Sequence, residues 1–324
     1  VAVVALHNHI VGKETLRSSA FELINNIQVI DGDKTFPVVD LSNLCTEYVD
    51  SDFIGHNEIL TLEISRGCIF RCSFCTYAHL GKKPGTYFRP KEDIKAEIVD
   101  RYEKYGTTQY AFSDDTFNDS ILKMQMIKDI RDETGIPFTF WAYGRLDLLM
   151  NKPKMFSMMK EIGWKYITVG VETLVHASGK SVGKGANPKK IKAFLKKLKE
   201  NDPELHVQVN IIVGLPHDTI DNIHETFNWC ANNQHIVDHF MIRPLIITKP
   251  GNSPAPSLIS HNPGKYGYTI RGDTPCGGTW EFDWETANMT RDKAKELVYD
   301  NFKRVTRMRN GGIFPLGIGD EYIA

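Results

Sequence analysis

Between Ile59 and Ile242, short apolar runs alternate with segments whose apolar residues recur every three or four positions. The strand-like runs are Ile59–Ile64, Gln109–Ser113, Phe138–Ala142, Tyr166–Val171, Val207–Val213 and Val237–Ile242. Between them the pattern predicts helices over roughly 91–105, 119–134, 154–162, 188–200 and 218–232. In the fourth of these, Ile191, Phe194, Leu195 and Leu198 fall at i, i+3, i+4 and i+7, a single apolar stripe. Strands and helices in strict alternation imply repeated βαβ units on a parallel sheet. Right-handed crossovers taken in sequence order would curl that sheet into a barrel or part of one. The expected fold class is therefore α/β, a partial (β/α)6 TIM-type barrel over residues 59–248.

Two flanks break the rhythm. Residues 1–58 open on the apolar run Val1–Leu6 and continue with weak patterning, which reads as an N-terminal extension. Residues 249–290 are rich in Gly and Pro (Pro250, Gly251, Pro254, Pro256, Pro263, Gly264, Gly267) and read as a long ordered loop. A last helix follows from about Arg291 to Arg309, so 249–324 forms a C-terminal loop-and-helix region.

Composition narrows the function classes. With 41% apolar and 24% charged residues, the 324-residue chain can build a core and stay soluble. Lys+Arg number 39 against 40 Asp+Glu, a net charge of −1, which gives no indication of a nucleic-acid partner. The lysine-rich helix carrying Lys189, Lys190, Lys192, Lys196, Lys197 and Lys199 reads as a solvated outer face. No apolar run has the length of a membrane span, and no targeting signal follows Val1. Starting on Val, the chain reads as processed or cut from a longer one. The expected setting is a reducing cytoplasm, since three of the six cysteines lie within eight residues, a spacing that suits metal ligation rather than bridges.

Those three are Cys68, Cys72 and Cys75, a C-x3-C-x2-C pattern directly after the first strand. Thiolates select iron–sulfur clusters or zinc. Zinc would take His79 as its fourth ligand, a closed Cys₃His site in a binding protein without turnover. A [4Fe–4S] cube usually takes four protein thiolates, so three leave one iron open for a small molecule. Sites of parallel α/β folds lie at the carboxyl ends of strands, where this triad sits.

The triad, with the aromatic Phe74 just before its third cysteine, resembles the radical S-adenosylmethionine (SAM) enzymes. The resemblance spans about residues 59–290 and is nearest to the subgroup of cobalamin-dependent enzymes and methylthiotransferases. It implies a [4Fe–4S] cluster on the three cysteines, with SAM chelated at the open iron. One-electron cleavage of SAM would then give a 5′-deoxyadenosyl radical that takes hydrogen from a small-molecule or macromolecular substrate. It also implies an electron donor such as a flavodoxin or ferredoxin.

Further strand ends carry the likeness. Asp114 and Asp115 follow the second strand as an acidic-aromatic turn, Ser113–Phe117; aspartates there also cap helices or stabilise turns. Arg145, after the third strand, resembles the partner of the SAM carboxylate; the alternative is a structural pair with an acid such as Asp147. Gly170, Glu172 and Thr173 resemble the family's G-x-E-S element. There Glu172 would meet SAM's ribose hydroxyls or amino group, or else a neighbouring Lys or Arg. Asn210 and Gly214 resemble the strand-five motif whose backbone lines the adenine; Gly214–Pro216 also reads as a plain turn. Arg243, near the sixth strand's end, suits a substrate or SAM contact or an ion pair. Cys276, in a Gly-rich loop, is a candidate catalytic thiol facing the substrate, although isolated cysteines more often pack.

The chain departs from the subgroup in two places. Only Cys45 precedes the triad, where methylthiotransferases carry a second cysteine set, so sulfur insertion is disfavoured. Cobalamin is expected only if an upstream domain belongs to the protein. His9–Gly12 has the H-x-x-G spacing of a cobalamin element but has His7 where that element has Asp, and it reads as chance.

Overall fold

The structure is a computed structural model that describes residues 41–42, 44–76, 87–250, 256–276 and 279–305. All of them belong to the unit formed by residues 37–324.

Six strands alternate with helices along the chain. They are β1 (Leu60–Glu63), β2 (Gln109–Ser113), β3 (Thr139–Gly144), β4 (Trp164–Glu172), β5 (His206–Val213) and β6 (His239–Pro244). Each pairs in parallel with its sequence neighbour, in the order β1-β2-β3-β4-β5-β6. This is a partial (β/α)6 barrel. The helices are α1 (Lys91–Tyr105), α2 (Ile121–Thr134), α3 (Leu146–Asn151), α4 (Pro153–Glu161), α5 (His176–Ser181), α6 (Pro188–Asn201) and α7 (Ile220–Asn232). The short α3 and α5, which the pattern did not predict, lie just beyond the ends of β3 and β4.

The two sheet faces differ in chemistry. Alternate positions facing the helices are apolar and buried: Leu60 and Leu62, Tyr110 and Phe112, Phe140 and Ala142, Val207 and Val209, Phe240 and Ile242. Phe112 stacks on Phe140 at 4.0 Å between ring centroids, and Phe117 meets Phe140 edge-on at 5.2 Å. The opposite positions, on the concave face, are mostly polar: Thr61, Glu63, Ser113, Tyr143, Thr168, Gln208, Asn210 and Arg243 stand among Ala111, Trp141, Ile212 and Met241. A parallel sheet covered on both faces reads as continuously apolar; this one keeps a polar interior.

Helix ends follow ordinary chemistry. Ser120 caps α2 and Asn187 caps α6, each through a side-chain oxygen, and Thr219 with Asn222 forms a reciprocal capping box on α7.

The region expected to be a long loop holds regular structure. After a short helix, α8 (Leu258–His261), an antiparallel hairpin forms from β7 (Thr269–Cys276) and β8 (Thr279–Glu285), followed by α9 (Arg291–Val305). In β8 the aromatics Trp280, Phe282 and Trp284 alternate with Glu281, Asp283 and Glu285, a period-two signal that the surrounding Gly and Pro outweighed in the sequence reading.

The hairpin locks onto the end of β5. Trp284 is fully buried and donates its indole N–H to the Leu245 carbonyl at 3.1 Å. Its ring lies against Gly214, whose carbonyl accepts from the Tyr268 hydroxyl at 2.8 Å. Gly214 has φ +99°, and a Cβ there would run into Trp284. Gly214→Ala should therefore lower the unfolding free energy by about 2–3 kcal/mol. An unchanged urea midpoint would mean that the hairpin can yield.

Beneath this turn Asp218 is buried. Its carboxylate accepts from the Gly214 and Leu215 amides at 3.0 and 2.9 Å and from the Ser178 hydroxyl at 2.7 Å. Burial pushes its pKa from 3.8 up to about 6, against those hydrogen bonds. The folded state thus favours the neutral acid. That contribution is complete below the unfolded pKa and is lost as pH rises through about 6. Between pH 4 and 7, Asp218→Asn should gain about 3 kcal/mol relative to the parent. Parallel stability–pH curves for the two proteins would refute this.

Candidate functional site

Because the strands are parallel, their carboxyl ends reach one edge, and Asp114, Asp115, Arg145, Glu172, Thr173, Gly214 and Arg243 lie at or just beyond those ends. The cysteine segment runs across this edge. Ser65 bridges to Phe88, and the Ser73 amide donates to the Val182 carbonyl at 3.2 Å. The Ser73 carbonyl accepts from the Ile259 amide at 2.9 Å, and the Cys75 amide donates to the Cys72 carbonyl at 3.0 Å. Cys72 is buried; Cys68 and Cys75 are half-buried. Phe74 packs against the core.

The Cys68 and Cys72 sulfurs have polar neighbours from other strand ends. Cys68 Sγ lies 3.2 Å from Thr116 Oγ1, beyond β2. Cys72 Sγ accepts from Arg145 Nη1 at 3.4 Å, beyond β3. The Arg145 guanidinium sits 4.0 Å above the Phe70 ring. Its Nε and Nη2 are bound by the Asp147 carboxylate at 3.0 and 2.9 Å, the two-residue pairing that the sequence left open. Burial opposes both charges, yet the pair prevails: the guanidinium pKa is raised and that of Asp147 is lowered.

Asp114 and Asp115 part ways. Asp114 is buried, accepts from the Thr116 amide at 2.9 Å and binds Lys123 Nζ at 2.6 Å. Lys123, fully buried, also lies 2.8 Å from Asp119 and donates to the Thr116 carbonyl at 3.0 Å. Asp115 stays half-buried at the strand end.

Glu172 is distinguished by its backbone. It has φ +67°, rare for a residue with a side chain, and follows a register shift between β4 and β5. Its carboxylate is buried, folds over Gly170 and stands 3.6 Å from Lys184 Nζ, which donates to the Gly170 carbonyl at 2.9 Å. Burial raises the Glu172 pKa, with Lys184 opposing. Thr173 Oγ1 accepts from the Val175 amide at 3.0 Å, which turns the chain into α5.

On the concave face, Asn210 accepts from Gln208 at 3.0 Å. Arg243 and Tyr143 lie within electrostatic range of each other: burial raises the tyrosine's pKa, Arg243 counters, and Asp115 and Glu172 add to the rise. The Gly214 amide and carbonyl are both occupied, by Asp218 and Tyr268. Cys276 is the last residue of β7, and its side chain lies outside the described residues, as does His79.

A family model, that of the radical SAM superfamily, matches residues 62–230. This chain belongs to the radical SAM superfamily. It is 26% identical over 182 residues to the ribosomal protein uS12 methylthiotransferase RimO of Carboxydothermus hydrogenoformans, covering 52% of this chain and 38% of RimO. It is 25% identical over 158 residues to the cytidylyl-2-hydroxyethylphosphonate methyltransferase of Streptomyces wedmorensis, covering 48% of this chain and 28% of that enzyme. The matches thus span well under half the length of either relative. Among solved structures, the radical SAM methyltransferase TsrM of Kitasatospora setae, with cobalamin and a [4Fe–4S] cluster, has a TM-score of 0.57 at 13% identity. That match covers 90% of this chain and 60% of TsrM. The cobalamin-dependent radical SAM enzyme OxsB, with aqua-cobalamin and SAM, has a TM-score of 0.55 at 17% identity, covering 78% of this chain and 42% of OxsB. These likenesses are of fold.

The radical SAM domain is an enzyme domain whose cofactors are a [4Fe–4S] cluster and SAM, and it works with a substrate and a reductant. The donor set fits the cluster. Three thiols lie on one segment, one facing a hydroxyl and one a guanidinium, groups that can hydrogen-bond ligated thiolates. The family match, not the geometry, is what disfavours a closed Cys₃His zinc site. Among the described residues no three His, Cys, Asp or Glu side chains are gathered for one metal ion. Among them, too, no helix is long and apolar enough to cross a membrane.

Besides Thr116, three members of the site were missed in the sequence. Asn118 is fully buried and exchanges two hydrogen bonds with the Arg145 backbone, at 3.0 and 2.8 Å, tying the β2 end to the β3 end. Lys184 reaches Glu172 from beyond α5, and no spacing announced it. Lys123 did leave a trace, since with Ile127 and Ile130 it occupies the apolar stripe of α2.

Proposed function

We propose that this chain is the radical-generating part of an enzyme that functionalises a carbon–hydrogen bond of a substrate seated on the concave face. The observation that carries the reading is the polar interior of the sheet, opening at the edge where the cysteine segment lies. In it Cys68, Cys72 and Cys75 hold the cluster. Bound there, cluster and SAM supply one-electron cleavage of the sulfonium and hydrogen abstraction.

Glu172 accepts hydrogen bonds from SAM's amino group or ribose, its carboxylate presented by the left-handed backbone. Arg145, beside Cys72, meets the SAM carboxylate in exchange for Asp147. Asp115, Gly170, Thr173, Asn210 and Gly214 border the nucleoside, and Asp114 supports the turn beside it. Phe74 shields the cluster from water, and Arg243 with Tyr143 orients an anionic or hydrogen-bonding part of the substrate. Cys276 is a thiol candidate on the hairpin.

Methyl transfer is the favoured outcome where a cobalamin-binding domain accompanies the chain. A methyltransferase among the curated relatives and cobalamin in TsrM and OxsB support this. A flavodoxin or ferredoxin in a reducing cytoplasm is the proposed electron source.

The test is anaerobic reconstitution with iron and sulfide, reduction, and incubation with SAM. About four irons per chain and release of 5′-deoxyadenosine are expected. One zinc per chain without SAM turnover would sink the reading.

A further inference from the structure

We propose that Thr116 sets the reduction potential of the iron–sulfur centre by donating a hydrogen bond to the Cys68 thiolate. The inference rests on the cluster assignment above and adds a residue to it.

The Thr116 hydroxyl stands between two acceptors. Its Oγ1 lies 3.2 Å from Cys68 Sγ and 2.6 Å from the Asp115 carbonyl. A hydroxyl carries one hydrogen, and a carbonyl only accepts. While Cys68 is a thiol, its S–H donates to Thr116, whose own hydrogen goes to Asp115. Once the sulfur is a ligated thiolate that proton is gone. The Thr116 hydroxyl then supplies the hydrogen for this contact, turning it from the carbonyl to the sulfur.

The turn that presents the hydroxyl is built to hold still. The Thr116 amide donates to Asp114 at 2.9 Å, and its carbonyl accepts from Lys123 at 3.0 Å. Asp114 and Lys123 are themselves paired at 2.6 Å and buried. An ion pair without solvent contact thus fixes a neutral donor beside a metal-ligating sulfur. Donors to cluster sulfurs stabilise the reduced form, which carries one more negative charge, and so raise the potential. In this way Thr116 makes the centre easier to reduce.

The test is an EPR-monitored redox titration of the full chain, anaerobically reconstituted, as parent, Thr116→Val, Thr116→Ala and Thr116→Ser. Valine keeps the shape and removes the hydroxyl; alanine removes it without any risk of overpacking; serine retains it. At the parent's midpoint, the reduced-to-oxidised ratio should fall about tenfold in the valine and alanine variants, equivalent to 59 mV for one electron. The serine variant should titrate with the parent. Equal potentials in the parent and in whichever of the two hydroxyl-free variants loads four irons would overturn the role of Thr116 while leaving the cluster in place. A parent that takes up no [4Fe–4S] cluster would overturn the cluster assignment, and this inference with it.

Discussion

Cys72→Ala is expected to abolish cluster binding and to reduce 5′-deoxyadenosine release to background. Cys72 is the buried member of the triad and the one that Arg145 reaches. Without it, two thiolates would have to hold four irons, and the single open position on which SAM binding depends would no longer be unique. The fold should survive. Alanine fits the space, and the anchors beside it, Ser73 to Val182 and Ile259 to Ser73, are backbone contacts of the next residue that the Cys72 side chain does not make. Iron content and far-UV circular dichroism separate the two effects. A variant that keeps four irons and cleaves SAM at the parental rate would remove the cysteine triad from the chemistry.

The largest stability effect is expected at Lys123. Its ammonium lies between Asp114 at 2.6 Å and Asp119 at 2.8 Å, with no solvent exposure on either side of the first pair. Lys123→Met preserves length and packing but leaves two buried acids without their cation. Breaking a buried pair in this way costs about 3–5 kcal/mol, far above the fraction of a kcal/mol that a surface pair such as Lys128–Asp132 contributes. Urea unfolding of the apo protein measures the loss. The triple change Lys123→Met, Asp114→Asn, Asp119→Asn should recover part of it, since the stranded charges are then gone. A loss below about 1 kcal/mol for the single variant would show that water reaches the pair.

How far the sequence could be read depended on where each residue spends its side chain. Strands and major helices were legible because the outer sheet face and one stripe of each helix are apolar, and period alone reveals that. The polar concave face was legible only in part. Arg145 and Glu172 stood out by position, but so did their structural partners: Asp147 lies two residues from Arg145, and a lysine next to Glu172 was foreseen as an alternative. Which lysine it was, and that Asn118 pairs with the Arg145 backbone, depend on chain reversals that no local pattern encodes. The hairpin had a clear alternation in Trp280–Glu285, hidden by the Gly and Pro around it.

The strands lie side by side in the order in which they are made, so each βαβ unit has its predecessor to dock on as the chain leaves the ribosome. The cysteine segment directly follows the first strand, yet one of its anchors, the Ile259 amide on the Ser73 carbonyl, comes from beyond the last strand of the sheet. The cysteine segment is therefore clamped on that side only once Ile259 has been made, after the whole of the parallel sheet.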